Sequence, residues 1–511
     1  MRATFVKVFI FAFWLLMTAW LLRYEAFPEK FTDAVSGYRA LLQGGPLLFD
    51  SWMQIESQGL PVGYSHTWID TSLEYNEAAY TVRNQTVLNF KLMGQAQWVG
   101  VTADAILDDQ YCLQQFSAVM VSSIYSTRID GRRSRKGFFD VIMKTPAAVK
   151  RFEMEIPDDV VLYSSMSETA MKQLAPGESI RLKTIDPVSL TVAEVIIEAV
   201  RRENIIHDGK NRSTTLLNIT YQGMIVSAWI DDEGRVLREE TPFGWVMRAS
   251  TPREILSSKR HAFDGADLFA AMAVPVRGHL TAPRMSRSLK VCLNGRLLDL
   301  DGLESHRQVL AERNENYVVM ELAAQDKPAG NIRLGEQVPQ EVRQFLTSSF
   351  AIQCDNHEII KQAQAITAGS KDCYEAAKSI NEWVYRNVVK KPTVSLPSAL
   401  DVLQRREGDC NEHTYLFVAL ARAAGLPARI NIGLVYAETD PGLATAGGQP
   451  GAFYYHAWPA VFVGQWVEMD PTFGTPLVDA AYIRLITGEL NDQMKLIGIL
   501  GKLSVDIMEQ K

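Results

Sequence analysis

The chain has 511 residues, 47% of them hydrophobic, which is enough for about three domains with filled cores. A formal net charge of −7 gives no general attraction to nucleic acid, and no phosphate loop or dinucleotide fingerprint occurs, so neither nucleic acid nor nucleotide is expected as a partner. Five cysteines cannot all pair, which leaves room for a free thiol.

Phe5 to Leu22 is apolar apart from Lys7, with Arg2 before it and Arg23 after. Its 18 residues sit at the lower edge for a spanning helix. The positive charges favour a cytoplasmic N-terminus and an exported body, and no small-x-small cleavage site follows. Residues 1–25 therefore read as an uncleaved signal anchor, giving a single-pass membrane protein whose body is periplasmic or extracellular. The alternative is a cleaved signal peptide and a secreted body. Residues 26–48 read as a linker, partly helical from Glu25 to Gly45.

Residues 49–252 alternate polar and apolar, with turn signals at Leu60-Pro61, Asp130-Gly131, Asp208-Gly209 and Glu233-Gly234. This predicts an antiparallel β-rich domain with helical content near Glu168–Leu174 and Ala193–Arg201. Arg128 to Lys136 carries five basic residues around Asp130-Gly131 and reads as an exposed hairpin tip, not a polyanion site. Residues 253–340 read as a small β-sandwich-type connector, with a helical stretch at Asp267–Val274 and strands within Ser288–Leu322.

From 341 to 511 the character changes. Helices are predicted over Glu358–Thr367 and Tyr374–Val388, strands over Arg429–Tyr436, Phe453–Val463 and Gln465–Asp470, and a C-terminal helix over Asp492–Lys511. A helix on an antiparallel sheet is an α+β arrangement. Cys354 and Cys373 flank a predicted helix and could bridge, but pairing depends on Cα separations that sequence does not supply.

The stretch GDCNEHTYLFVALARAAGLPARI, Gly408 to Ile430, carries the chemistry. Asp409 and Glu412 fit a capping box that places Cys410 in the first turn of a helix ended by Gly425-Leu426-Pro427. A free thiol titrates near about 8.5, and the helix dipole should lower that value while the acidic neighbours oppose it. A histidine partner is therefore required, and His456 on the next strands is the candidate, with Asp470 to orient it. Register makes a demand. A two-residue loop at Gly464-Gln465 pairs Val463 with Trp466 and throws Asp470 to the wrong face. A three-residue loop or a bulge pairs Phe462 with Trp466 and brings Asp470 diagonal to His456. Trp383 and Gln404 are candidate oxyanion donors beside the Cys410 N–H, and Tyr454 and Trp458 are candidate cleft residues. Cys410, His413 and His456 could hint at a metal, but no fourth ligand follows, so no metal and no cofactor is expected. The polar stretch from Glu438 to Ala452 reads as a surface insertion placed to act as a lid.

GDCNEH, FYYHAW (Phe453–Trp458), VEMDPTFG (Val467–Gly474) and the flanking KKPTVSLPSALDVL (Lys390–Leu403) together resemble the transglutaminase-like superfamily, in particular its secreted or membrane-anchored bacterial branch. The resemblance covers roughly Phe345 to Lys511, and more loosely the β-rich region before it. It implies a papain-like core at the C-terminus, a Cys410–His456–Asp470 triad and acyl transfer through a cysteine thioester. Protein or peptidoglycan-peptide substrates are expected, with hydrolysis favoured over transfer to an amine. The competing reading is a catalytically silent envelope scaffold that keeps the fold.

Overall fold

The structure is a computed structural model that describes residues 49–72, 79–108, 112–162, 174–186, 190–242, 244–258, 267, 269, 272–295, 302–328, 332–396, 398–438 and 451–511. The anchor and linker expectations, the helix near 168–173, residues 268 and 270–271 of the 267–274 stretch and the 439–450 lid fall outside these residues. Among the described residues no helix is long and apolar enough to cross a membrane.

Alternation over long stretches with tight turns builds one fifteen-stranded sheet between Phe49 and Ala249. The chain starts in the middle of it at Phe49–Ser57 and meanders outward to an edge at Val149–Glu155. It then resumes at the far edge with Val160–Leu162 and meanders back until Trp245–Ala249 pairs with the first strand. Two expectations need correction here. Ala193–Arg201 is not helical but part of a strand, Thr191–His207, because Val192, Val195, Ile196 and Ile197 are β-branched and every second side chain is buried there. Asp130-Gly131 is not a turn either: it lies inside the strand Ser126–Arg135, and Gly131 is a glycine because a Cβ would stand 2.1 Å from the ring of its cross-strand partner Phe116. Three arginines of this strand are paired with carboxylates, Arg128 to Asp130 at 2.8 Å, Arg133 to Asp158 at 2.6 Å and Arg135 to Glu153 at 2.7 Å. Leu60-Pro61 opens a strand, and the turn before it is Gln58-Gly59, both at positive φ.

The connector is one five-stranded sheet, not a sandwich. Its order is Val276–Arg277, Ser504–Gln510, Ser288–Asn294, Tyr317–Ala323, Gln308–Arg313. The expected C-terminal helix is thus replaced by a short helical turn, Leu490–Gln493, a 3₁₀ stretch to Ile499, and a strand. Gly501 at φ 72° breaks the helical path, and the strand then buries Val505 between its neighbours. Val291, Leu293 and Val318 of this sheet share one core with the helices that follow, so connector and C-terminal unit pack as one body.

In that unit α1 (His357–Thr367), α2 (Cys373–Asn387), α3 (Ala399–Arg405) and α4 (Cys410–Ala423) precede β1 (Ala428–Glu438), β2 (Gly451–Phe462), β3 (Trp466–Glu468) and β4 (Tyr482–Thr487). The sheet order is β3-β2-β1-β4, with the buried α4 packed against β2 and β1. All five cysteines are free thiols, so Cys354 and Cys373 do not bridge. The large sheet grips the run into α4. Gln97 donates to the Pro392 carbonyl at 3.0 Å, the Ala147 N–H to Asp401 at 3.0 Å, and the Tyr125 hydroxyl to the Glu407 carbonyl at 2.7 Å.

Candidate active site

The α4 N-terminus is a full capping box. Asp409 accepts the N–H groups of Asn411 and Glu412, and Glu412 accepts the Asp409 N–H at 2.8 Å. Gly408 leaves room for this, since a Cβ there would stand 2.3 Å from Glu412. Cys410 is the first helical residue. It faces a gap in the ladder: β3 pairs with β2 only from Ala460 to Phe462, so the backbone of Ala457 is free on that edge. There Thr414 donates to the Ala457 carbonyl at 3.0 Å, and the Ala457 N–H donates to the Cys410 sulfur. The nucleophile candidate is thereby docked on the residue next to His456.

The hairpin between β2 and β3 has the three-residue loop Val463-Gly464-Gln465, with Phe462 opposite Trp466. Asp470 then reaches the face of His456, and the His456 Nε2–H donates to Asp470 Oδ2 at 2.8 Å. A carboxylate only accepts, which assigns the proton to Nε2 and leaves Nδ1 as the accepting atom. Asp470 is wholly buried and fully satisfied. The Tyr482 hydroxyl donates to Oδ2 at 2.7 Å, and the N–H groups of Thr472 and Phe473 donate to Oδ1 at 2.7 and 3.3 Å. Burial alone would push this carboxyl up, but His456, Tyr482 and Thr472 hold it below the usual range. Phe473 lies over the imidazole, with ring centroids 5.2 Å apart.

The thiol is governed differently from expectation. Burial first, then the charge of Asp409, pushes Cys410 well above its ordinary value, and the Ala457 N–H only partly offsets them. Burial and Glu412 likewise push Asp409 up.

Other sequence candidates are placed elsewhere. Gln404 is exposed, and its amide donates to both oxygens of Glu358 at 3.3 Å, which commits it away from an oxyanion. Trp383 is half-buried on α2 with the Arg406 guanidinium 4.9 Å over its ring. Trp458 is fully buried beneath His456 with its N–H on Glu468 at 2.8 Å, and Tyr454 is buried and stacked 4.2 Å from Phe269, so neither lines an open cleft. His413 is wholly buried with its ring nitrogens facing the carbonyls of Asp409 and Val388, at 2.6 and 3.2 Å. Sequence reasoning missed Tyr482, Phe473 and the Ala457 N–H. Only the Asp-Pro turn carried a readable signal, since Asp470 bonding the N–H two residues on is an Asx turn.

Residues 360–471 match the model of the transglutaminase-like superfamily. No curated protein matches the chain. Among solved structures it is similar to a cysteine protease candidate from Cytophaga hutchinsonii, at 18% identity and TM-score 0.32 over 44% of this chain and 89% of that one. The periplasmic domain of TgpA from Pseudomonas aeruginosa is similar at 17% identity and TM-score 0.25, over 40% and 73%. A β-barrel-like protein of Brucella abortus, from a domain family of unknown function, is similar at 10% identity and TM-score 0.27, over 40% and 95%. The family match supports a cysteine-dependent enzyme of the acyl-transfer kind.

Proposed function

With residues 360–471 forming a transglutaminase-like core, we propose that the protein is an exported, membrane-anchored cysteine hydrolase acting on peptide or side-chain amides of envelope proteins or peptidoglycan peptides. His456 Nδ1 takes the Cys410 proton, and the thiolate attacks the amide carbon. The tetrahedral oxyanion is met by the Cys410 N–H and one further donor. The C–N bond breaks as the imidazolium protonates the leaving amine, leaving a thioester. Water then gives a proton to His456 and attacks the same carbon. The C–S bond breaks, and the proton returns to sulfur as the acid leaves. A raised thiol suits this order, because ionisation waits for the base.

The observation that carries the reading is the buried His456–Asp470 hydrogen bond, beside a sulfur held by the next residue's N–H. Iodoacetamide should alkylate Cys410 rapidly near neutral pH in wild type and far more slowly in His456→Ala. Folded Cys410→Ala should lose hydrolysis of envelope extracts. A folded Cys410→Ala with wild-type activity ends the proposal.

A further inference from the structure

The face of the sheet that carries His456 holds a second cluster of charge. Arg429 of β1 pairs with Ala460 of β2, and Ala460 pairs with Glu468 of β3, so Arg429 and Glu468 lie on the His456 face four residues further along β2. With Trp466 and with Arg484 of β4 they wall a cavity of about 630 Å³, rimmed by His306 and Lys495.

Two arginines line this wall, and a third, Arg307, stands behind it beside Arg484. Arg307, Arg484 and Glu468 are 3%, 5% and 3% exposed. Arg484 spends its Nη2 on the carbonyls of Gly302 and Glu304, at 2.7 and 2.6 Å, and Arg307 spends its own on the Asp479 carbonyl at 2.9 Å. The Arg429 guanidinium lies over Trp466, 4.1 Å from the ring centre, and among the described residues no carboxylate is within ion-pair distance of it. The Nε atoms of all three arginines and the Nδ2 of Asn431 are buried with no hydrogen-bond partner. Glu468 faces Arg307 and Arg484 and also accepts the Trp458 N–H, and the buried Asp479 faces Arg307, but neither is within ion-pair distance of Arg429. At the rim Lys495 is already paired with Asp492 at 3.0 Å, and Glu304 is exposed to water. Burial and the neighbouring Arg484 pull Arg429 down to about 10, as an unanswered cation should be.

Native interiors do not leave several donors orphaned close to one another without a reason. We propose that this cavity binds the oxyanion group of a small molecule, a carboxylate or a phosphate, with Arg429 as its anchor. Stacking on Trp466 fixes the guanidinium plane and leaves its edge for a two-point contact, which a lysine could not make. Glu468 and Arg484 stand two residues from Asp470 and Tyr482, so an occupant rests on the strands that hold the imidazole's partner.

Calorimetric titration of the full chain with glutarate and with inorganic phosphate, at low ionic strength, reads this without any catalytic step. Saturable binding of at least one is expected, and the anion that binds tells carboxylate from phosphate. Arg429→Gln should weaken it at least about tenfold, as should Arg429→Lys, which keeps the charge and loses the fork. Without ligand, Arg429→Gln should melt at or above the wild-type temperature, because an unanswered cation is gone. No saturable binding of either anion, binding unchanged in both variants, or a lower melting point in Arg429→Gln with binding unchanged overturns the proposal.

Discussion

At the scale of single residues, the three side chains proposed as nucleophile, base and orienter stand out in the sequence because their types and order are rare together, and what surrounds them does not. The hydroxyl on Asp470 comes from Tyr482, which only the pairing of β4 with β1 brings near. Removing it in Tyr482→Phe leaves a buried carboxylate one donor short, a loss of about 1.5–3 kcal/mol for a charged hydrogen bond. Asp470 is depressed in the folded state, so its stabilisation is present above the unfolded value of about 3.9 and fades as pH falls through the folded value. The urea midpoints of wild type and Tyr482→Phe should therefore differ at pH 7 and converge below about pH 4. A gap that persists in acid assigns Tyr482 to packing alone. Asp409 offers the converse test. Asn caps a helix as well as Asp does, but it removes the charge that, after burial, most opposes the thiolate. Asp409→Asn should raise the alkylation rate of Cys410 at pH 8 by about threefold to tenfold, a shift of up to one pKa unit. An unchanged rate at unchanged stability shows that burial alone holds the thiol up.

At the scale of elements, patterns that are local in the chain were readable, and those decided by distant partners were not. The capping box of α4 and the register of the β2–β3 hairpin depend on residues within a few positions of each other, and both stand as reasoned from sequence. Ala193–Arg201 shows the limit. Its alanine, glutamate and arginine content suits a helix, yet neighbours on both sides give it a ladder that burial of Val195, Ile197 and Ala199 rewards. The hairpin gives the element-scale prediction. Deleting Trp466 keeps the three-residue loop but sets Val467 opposite Phe462, which slips the return strand by one residue. Val467 and Met469, both fully buried, would turn outward, at about 1.5–3 kcal/mol each, and Asp470 would leave the His456 face. Alkylation of Cys410 should fall to the rate of Asp470→Ala. Gly464→Ala is the control: at φ 105° it strains the turn by about 1 kcal/mol but keeps the register, so alkylation should survive. Equal labelling in the deletion and in wild type would show that register does not place the aspartate.

At the scale of the whole molecule, the chain's end returns to a sheet that begins more than two hundred residues earlier, and no local signal foretells that. Ser504–Gln510 pairs with both Val276–Arg277 and Ser288–Asn294, inserting a strand inside the connector sheet. Ser504 to Gln510 alternates weakly and follows helical residues, so sequence alone favours continuing the helix, whereas the partner strands make extension the better use of its backbone groups. The consequence is mechanical. Because Val291, Val318 and Val505 share one core with α2 and α4, the connector should not unfold ahead of the unit that carries the site. Val505→Ala removes two buried carbons and leaves a cavity, costing about 2 kcal/mol. Free thiols report where that loss is felt, since Cys292 lies in the connector strand Ser288–Asn294 and Cys373 opens α2. Pulse alkylation along a urea series, read by mass spectrometry, should expose both cysteines at one midpoint, and Val505→Ala should lower that midpoint equally for both. Exposure of Cys292 at lower urea, with Cys373 unmoved by the substitution, would show two units that merely touch.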